Sequence, residues 1–303
     1  MGFKQLIYRI IYHDNLNVVF RNVNKLLRPL LPEKVKLPPS GIFTMRAKNG
    51  NSIKVKTNQT NYLTQLVYWN GLEQFEYTEL FLKLIKNINV FYDIGANIGY
   101  YSLLAAMENP DIKVVGFEPA SGPLYYFQEN VRINNFKNIR IESIALSEKE
   151  GVITFYEIKN KKYKYLEHNL AGEGNAGSLT EGRNFQKVDV KTTTLDDYVA
   201  NHEQGKVDLI KMDTEGTEHF ILENGRKMLR EMEPIVICET LFNTIEPELE
   251  TIFSSLGYKF YNHTDSGLKK VEHITRSIDN GVRNCFFVPP SKEHLVAEFV
   301  TAN

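Results

Sequence analysis

The sequence predicts an α/β fold, with a mostly parallel sheet, helices on both faces, and a helical segment and β-hairpin before it. Short β-branched runs alternate with helical stretches after residue 87, as in strand–helix–strand units. One of these runs ends in Asp93 and turns through Gly95 into a helix, as at many ligand sites of parallel sheets. The 303 residues, 42% of them hydrophobic, can bury such a core and a smaller accessory element.

The N-terminal segment is basic and amphipathic, and we predict that it is helical. Its lysines and arginines outnumber its acids, and its apolar runs are far shorter than the ~20 residues that span a bilayer. Arg9 interrupts the one candidate core of a secretory signal, so we expect a cytoplasmic protein. Two interpretations are open: residues 1–36 dock peripherally on the inner face of a membrane or on a partner, or they pack on the next domain with their charges in water.

The remaining elements follow in order. Alternating residues around Asn49-Gly50 predict a hairpin, and an amphipathic helix over 74–86 leads into the main domain. The predicted regions are residues 1–40 (helical segment), 41–72 (hairpin), 73–290 (main domain) and 291–303 (C-terminal tail). The predicted strands are 88–94, 113–117, 139–144, 152–157, 188–193, 207–212 and 235–239, and the predicted helices are 98–107, 123–134 and 217–231. We expect one continuous sheet, and the polar stretch 159–187 is a candidate substrate loop.

The turn after the first strand of the main domain predicts the kind of ligand. Gly95 and Gly99 let a ligand approach the backbone, but Asn97 stands where a dinucleotide fingerprint has its middle glycine. A pyrophosphate is therefore disfavoured. Asp93 would repel phosphate and suits an ammonium group, directly or through water. Taken singly, Asp93 also fits a helix N-cap, and the glycines also fit packing positions.

The next strand supplies a second acid. Glu118 ends the strand 113–117, where a carboxylate can accept both hydroxyls of a ribose, although an exposed strand end is the alternative. A cationic nucleoside with a ribose and no phosphate describes S-adenosylmethionine, which we predict as the cofactor. Adenine contacts are assigned to Ser143, Ile144 and Ala145 at the end of the third strand.

The acceptor side is predicted at the ends of two further strands. Methyl transfer needs a base, and Asp213 is the first candidate. Asp213 is also predicted to contact the methyl donor, and the alternative to both roles is a helix N-cap. Lys211 lies on the same strand face and either lowers the pKa of the acceptor or pairs with Asp213. Glu215 and Glu239 are further candidates. Alternatively, Asp213, Glu215 and Glu239 hold a divalent cation such as Mg²⁺ on a sugar diol.

Composition and motifs narrow the acceptor class. The formal net charge of -1 argues against nucleic acid, and two distant cysteines indicate neither a zinc site nor a disulfide framework. No Pro-Pro-aromatic motif, typical of enzymes that methylate exocyclic amines, follows Asp213, which favours oxygen as the acceptor atom.

The chain resembles the FkbM-type methyltransferases. The motifs that carry the resemblance are Tyr92–Ser102, Phe117–Pro119, Asn130–Asn134, Ala145–Ser147 and Ile210–Gly216. The resemblance covers roughly residues 75–240, not the N-terminal segment.

This resemblance implies a Rossmann-like class I methyltransferase fold and adds Tyr100, Ser102 and Pro119 to the expected donor site. Members typically methylate oxygen on sugars, glycolipids or polyketide-like natural products. We therefore expect a hydroxyl of a sugar, glycolipid or glycan precursor as the acceptor. The alternatives are a small natural product, a protein or RNA, or a module that binds S-adenosylmethionine without catalysis.

Overall fold

The structure is a computed structural model that describes residues 2–32, 35–159, 162–170, 184–202 and 205–301. The strands are β1 Gly41–Arg46, β2 Ser52–Thr57, β3 Val90–Ile94, β4 Lys113–Phe117, β5 Ile139–Glu142, β6 Ala145–Leu146, β7 Gly151–Lys159, β8 Asn184–Thr193, β9 Leu209–Met212, β10 Ile235–Glu239, β11 Lys259–Thr264, β12 Gly267–Val271 and β13 Asn284–Val288. The helices are α1 Phe3–Ile11, α2 Asp14–Leu27, α3 Tyr62–Asn70, α4 Thr78–Leu84, α5 Tyr100–Glu108, α6 Ser121–Asn134, α7 Leu195–Ala200, α8 Glu218–Glu223, α9 Arg226–Met232, α10 Glu246–Ser255 and α11 Glu293–Val296. Short 3₁₀ turns lie at Arg28–Leu30, Leu72–Gln74, Ile85–Asn87, Pro290–Lys292 and Ala297–Phe299.

The main sheet has eight strands in the order β12-β11-β13-β10-β9-β3-β4-β5. The five strands from β10 to β5 are parallel to one another, and the other three strands pair antiparallel. Every residue of β3 and of β9 is buried, as expected of central strands covered on both faces. The predicted fold class is therefore confirmed. Because parallel strands end at one edge, the residues after β3, β4, β9 and β10 meet there.

Two apolar layers cover the sheet. One contains Phe91 and Leu104 together with Ile53 and Val55 of the β1–β2 hairpin, and the other is built around Tyr92 and its neighbours on the opposite face. Because successive side chains of a strand point to opposite faces, adjacent residues of β3 belong to different layers.

The expectation of one continuous sheet is wrong. Strands β7 and β8 form a long antiparallel ribbon that, with β6, makes a separate three-stranded sheet. Strands β11, β12 and β13, which the sequence did not predict, complete the main sheet instead. Pairing partners of a strand are set by tertiary packing, which a local pattern does not contain. Of the candidate substrate loop, residues 160–161 and 171–183 lie outside the described residues.

Two predicted helices are shorter than expected. The residues predicted as a C-terminal tail also contact the main sheet, at Leu268. The predicted helix 74–86 is helical only as α4 and a 3₁₀ turn, and the predicted helix 217–231 breaks at Gly225. At Gly225 a side chain would collide with Leu195 of α7. Val300 bridges to Leu268 beside the main sheet. Within the described ranges, no helix is both long and apolar enough to cross a membrane.

Candidate functional site

The turn between β3 and α5 is shaped by residues with left-handed backbone. Gly95 has φ +70, and a Cβ there would collide with the carbonyl oxygen of Asp213. Asn97 has φ +52, a conformation that asparagine adopts more readily than most residues, which accounts for asparagine at the middle position. Gly99 has φ +82 and packs directly on the ring of Phe127. The turn thus brings the ends of β3 and β9 into contact.

Asp93 organises the start of helix α5. Its Oδ2 accepts hydrogen bonds from the backbone N–H (3.0 Å) and the hydroxyl (2.7 Å) of Ser102. Its Oδ1 lies 3.6 Å from the Lys211 ammonium, and Asp93 is fully buried. Asp93 is therefore not the N-cap residue of α5, which is Gly99, but it accepts the Ser102 N–H in the first turn of that helix. Its contact with a donor ammonium stays a prediction.

A cavity of about 570 Å³ lies over the turn and the strand ends. This volume is within the range of small-molecule sites, about 300–1,000 Å³. The predicted site residues on its wall are Gly95, Asn97, Glu118, Pro119, Ile144, Ala145, Asp213 and Glu215. The predicted residues that the described part of the wall leaves out are Asp93, Gly99, Tyr100, Ser102, Ser143, Lys211 and Glu239. The wall residues Phe155, Thr214 and Phe220 were not predicted, whereas Leu170 lies in the predicted substrate loop 159–187. An aromatic residue soon after the acidic run, as at Phe220, was a usable signal.

Glu118 is the buried acid of this cavity. Its two oxygens accept backbone N–H groups, Oε2 from Asn97 at 2.7 Å and Oε1 from Ala120 at 2.9 Å. Burial raises the pKa of Glu118 to about 7, against the lowering effect of these hydrogen bonds. Each carboxylate oxygen has a second lone pair, so Glu118 retains capacity for two hydroxyl donors.

Lys211 joins the donor turn to the acidic side of the site. Its ammonium donates to the Gly95 carbonyl at 2.9 Å and lies 3.6 Å and 3.7 Å from carboxylate oxygens of Asp93 and Asp213. Burial lowers the pKa of Lys211, but the carboxylates of Asp213 and Asp93 outweigh burial and the net shift is upward. Lys211 is therefore a fixed cation, and the predicted pairing with Asp213 is present.

Carboxylates gather around this cation. We call Glu76, Asp213, Glu215 and Glu239 the acidic cluster. The side chain of Asp213 is 47% exposed, and Glu76 accepts a hydrogen bond from the Tyr101 hydroxyl at 3.1 Å. Glu76 was missed by sequence analysis because it precedes β3 and reaches the site only through folding.

Glu239 has the most strongly perturbed carboxyl of the acidic cluster. Burial raises the pKa of Glu239 to about 8, helped by the nearby carboxylates of Asp213 and Glu215. A carboxyl that titrates near neutral pH is suited to proton transfer, and a catalytic role for Glu239, which the described cavity wall does not include, stays a prediction.

The loop after β9 is held by Glu218, not by Asp213. Glu218 Oε1 accepts hydrogen bonds from the Thr214 N–H at 2.6 Å, the Thr214 hydroxyl at 3.0 Å and the Gly216 N–H at 3.3 Å. Helix α8 begins after Thr217 without a side-chain cap. The alternative of Asp213 as a helix N-cap is therefore not what the structure shows.

The expectation of a bound Mg²⁺ finds no support. Over the part of the chain that the structure describes, no group of three or more His, Cys, Asp or Glu side chains is placed to hold a metal ion. Asp213 and Glu76 of the acidic cluster, together with Asp93 and Glu118, lie close enough to the Lys211 ammonium to raise its pKa.

The parallel sheet, the glycine turn and the carboxylate on the second strand define a class I methyltransferase that uses S-adenosylmethionine. The model of the methyltransferase FkbM domain matches residues 93–260, more than half of the chain. The chain therefore belongs to the FkbM methyltransferase family, and the resemblance seen in the sequence is confirmed.

Curated relatives are similar over much of the chain. The methyltransferase sdnD of Sordaria araneosa is 26% identical over 61% of this chain and 82% of its own length. The 31-O-demethyl-FK506 methyltransferase FkbM of Streptomyces tacrolimicus is 25% identical over 50% of this chain and 68% of its own. Among solved structures, methyltransferase FkbM from Methylobacillus flagellatus KT aligns at a TM-score of 0.44 and 16% identity, over 66% of this chain and 44% of that chain.

The residues of the cavity fit S-adenosylmethionine. The backbone of Gly95 and Asn97 lines the cavity, and Glu118 offers acceptors for the ribose hydroxyls. Pro119, Ile144 and Phe220 line the same cavity and would cover the adenine with apolar surface.

Proposed function

We propose that this enzyme methylates a hydroxyl group of a sugar, glycolipid or glycan precursor. The observation that carries the proposal is the acidic cluster around Lys211. Asp213 belongs to both the donor cavity and the acidic cluster, so an acceptor held by these carboxylates would lie next to the methyl donor. Sugar hydroxyls donate hydrogen bonds, and carboxylates are strong acceptors for them.

The chain's own residues supply what an oxygen acceptor needs. S-adenosylmethionine, when bound, supplies an electrophilic methyl group. We expect Asp213 to take the hydroxyl proton as the oxygen–methyl bond forms and the sulfur–methyl bond breaks. Lys211, whose ammonium lies 3.7 Å from the Asp213 carboxylate, would orient that carboxylate. Glu239, with its pKa of about 8, is mostly protonated at neutral pH, so it becomes a second proton acceptor only at higher pH.

A small natural product is the second candidate acceptor. It is favoured by the relative whose name gives 31-O-demethyl-FK506 as its substrate, a compound named as lacking an O-methyl group. The net charge of -1 counts against an RNA acceptor. The acidic cluster beside an intact donor turn supports catalysis over binding alone.

The test separates donor binding from chemistry. In calorimetry, Glu118→Gln should weaken S-adenosylmethionine binding by about tenfold to a hundredfold, because hydrogen bonds from the ribose to a charged acceptor are lost. Asp213→Asn should bind the donor almost as the wild type does, yet lose turnover by about a hundredfold or more. Turnover is measured as product formation with a panel of glycans, glycolipids and macrolide alcohols.

Asp265→Asn, in the β11–β12 turn away from the cavity, makes the same chemical change as a control and should leave both properties unchanged. Equal loss of donor binding in Glu118→Gln and Asp213→Asn would refute the division of roles. Methylation of amines but of no hydroxyl in the panel would refute oxygen transfer.

A further inference from the structure

Helix α1 turns its apolar face to solvent. Phe3, Leu6, Ile7 and Ile10 recur at the three- and four-residue spacing of one helix face. All four side chains are exposed, Phe3 by 80%. An amphipathic helix that packs on a domain by its apolar side would bury these residues, so the orientation is the reverse of the usual one.

Helix α2 and the turn after it extend the same kind of surface. Six of its exposed apolar side chains are Leu16, Val19, Phe20, Val23, Leu26 and Leu30. Leu26 and Leu30 are 79% and 83% exposed. We call these six residues and the four of α1 the outer apolar face. Most large apolar side chains that the described residues expose lie in this segment, and exposed patches of this kind mark interaction sites.

The polar side of α2 holds the helix in this orientation. Arg21 is 3% exposed and donates to the carbonyls of Ser40 at 3.0 Å and Ile42 at 2.7 Å. Asn17 is fully buried and accepts from the Ser40 N–H at 2.8 Å, and Asn24 accepts from the Leu37 N–H at 2.8 Å. These bonds satisfy the polar groups against the protein, so rotating the apolar face inward would leave them unpaired.

Positive charge borders the outer apolar face. Lys4 directly follows Phe3 and Arg9 directly precedes Ile10, which places them about 100° to either side of the apolar stripe. Asp14 is the one acidic residue in the sequence of α1 and α2. In a dimer formed through this face by a two-fold axis, both copies would bring the same cations to the interface, where like charges repel each other. An anionic surface complements them.

We propose that the outer apolar face docks α1 and α2 in the plane of an anionic lipid surface, with Lys4 and Arg9 at the headgroups. A stripe of Leu, Ile and Phe flanked by Lys and Arg is the pattern of helices that lie in the membrane interface. This docking goes beyond the proposed methyl transfer and does not depend on the acceptor.

The docked helices lie beside the wall of the donor cavity. Gln5 donates to the carbonyl of Lys162 at 2.8 Å, and the Tyr8 carbonyl accepts from the Tyr165 hydroxyl at 3.1 Å. Leu170, farther along the same stretch of chain, lines the cavity. If the acceptor is lipid-linked, as the proposed function allows, the lipid surface that binds the helices would also concentrate the acceptor near the site.

The test is co-sedimentation of the full chain with vesicles, without donor or acceptor present. Wild type should sediment with vesicles of phosphatidylcholine mixed with phosphatidylglycerol, and far less with phosphatidylcholine alone. Leu6→Gln/Val19→Gln/Leu26→Gln should weaken this binding by roughly tenfold or more, because three apolar side chains no longer enter the interface. Lys4→Glu/Arg9→Glu should weaken it by roughly tenfold or more on the anionic vesicles.

Val152→Gln/Ile278→Gln removes exposed apolar side chains elsewhere and is the matched control. It should sediment like wild type, and circular dichroism should show that all variants fold. Wild type that stays in the supernatant with both kinds of vesicle would overturn the proposal. So would equal binding to both kinds of vesicle, or a triple variant that binds like the control. Concentration-dependent dimers that the triple variant abolishes, without vesicle binding, would assign the face to a second copy instead.

Discussion

At the scale of single residues, the site depends on backbone positions that tolerate no ordinary side chain. Gly95 is the clearest, because its positive φ and its contact with the Asp213 carbonyl both require the absence of a Cβ. The carbonyl oxygen of Gly95 accepts a hydrogen bond from the Lys211 ammonium. One glycine thus sets the spacing between the donor turn and the acidic cluster.

Gly95→Ala should destabilise the protein by about 1 to 3 kcal/mol more than Gly50→Ala. Gly50 has φ +95 but open space around its Cβ position, so that control carries only the backbone cost of about 1 to 2 kcal/mol. Urea unfolding monitored by fluorescence measures both. Equal losses would show that the collision at Gly95 relaxes without cost.

Glu239 predicts a pH-dependent stability of a particular sign. Folding raises the pKa of Glu239 from 4.5 to about 8. Below pH 4.5 the carboxyl is protonated in both states. Between the two values the unfolded chain releases a proton that the folded chain retains, so stability falls as pH rises, and the loss is complete above the folded pKa.

Glu239→Gln removes this loss. Its melting temperature should exceed that of wild type increasingly from about pH 5 to about pH 9, since the amide needs no deprotonation. The exposed Glu248→Gln serves as the control. A constant difference between Glu239→Gln and wild type across this range would contradict the raised pKa.

At the scale of elements, one buried arginine ties a long connection to the sheet. Arg276 pairs with Glu246 of α10 and donates to the carbonyls of Val282 and Thr240, both at 2.7 Å. The Arg276 and Glu246 side chains are 7% and 2% exposed. The residues between β12 and β13 are therefore fixed to the end of β10, close to Glu239.

Arg276→Met should cost about 3 to 5 kcal/mol, because it leaves the Glu246 carboxylate buried without its counter-ion. Arg283→Met, which breaks an exposed pair with Asp279, is the matched control and should have a much smaller effect. Chemical denaturation reports both values. If the loss in Arg276→Met/Glu246→Gln equals the sum of the losses in the two single variants, the two residues are not coupled.

At the scale of the whole molecule, the central parallel strands of the sheet are the most deeply buried elements, and helix α1 is among the most exposed. Strands β3 and β9 are buried throughout, whereas α1 has no buried residue. Local stability in proteins follows such differences.

Native-state hydrogen exchange should therefore show its slowest amides in β3 and β9, with opening free energies near that of global unfolding. Amides of α1 should exchange fastest among the helices in water and slow down on anionic vesicles. Mass spectrometry of peptic peptides resolves these segments. Fast exchange in β9 would contradict its place at the centre of the core.

Local signals in the sequence were enough to predict the fold class, the glycine turn after β3 and the family. Periodicity identifies parallel strands, and such strands end at one edge, so Glu118 and Asp213 were predictable at the same edge of the sheet. Asn97, in place of the middle glycine of a dinucleotide fingerprint, was enough to disfavour a pyrophosphate ligand. Each of these depends on chemistry within a short stretch of chain.

Only the tertiary structure decided which face of each helix or strand is buried and which is exposed to solvent. It buried Asp93 against Ser102, brought Glu76 to the acidic cluster, separated β7 and β8 from the main sheet and turned the apolar side of α2 outward. A periodic pattern shows that a helix or strand has two faces. Which face is buried depends on partners distant in sequence, here the backbone of Ser40 and Ile42 that binds Arg21.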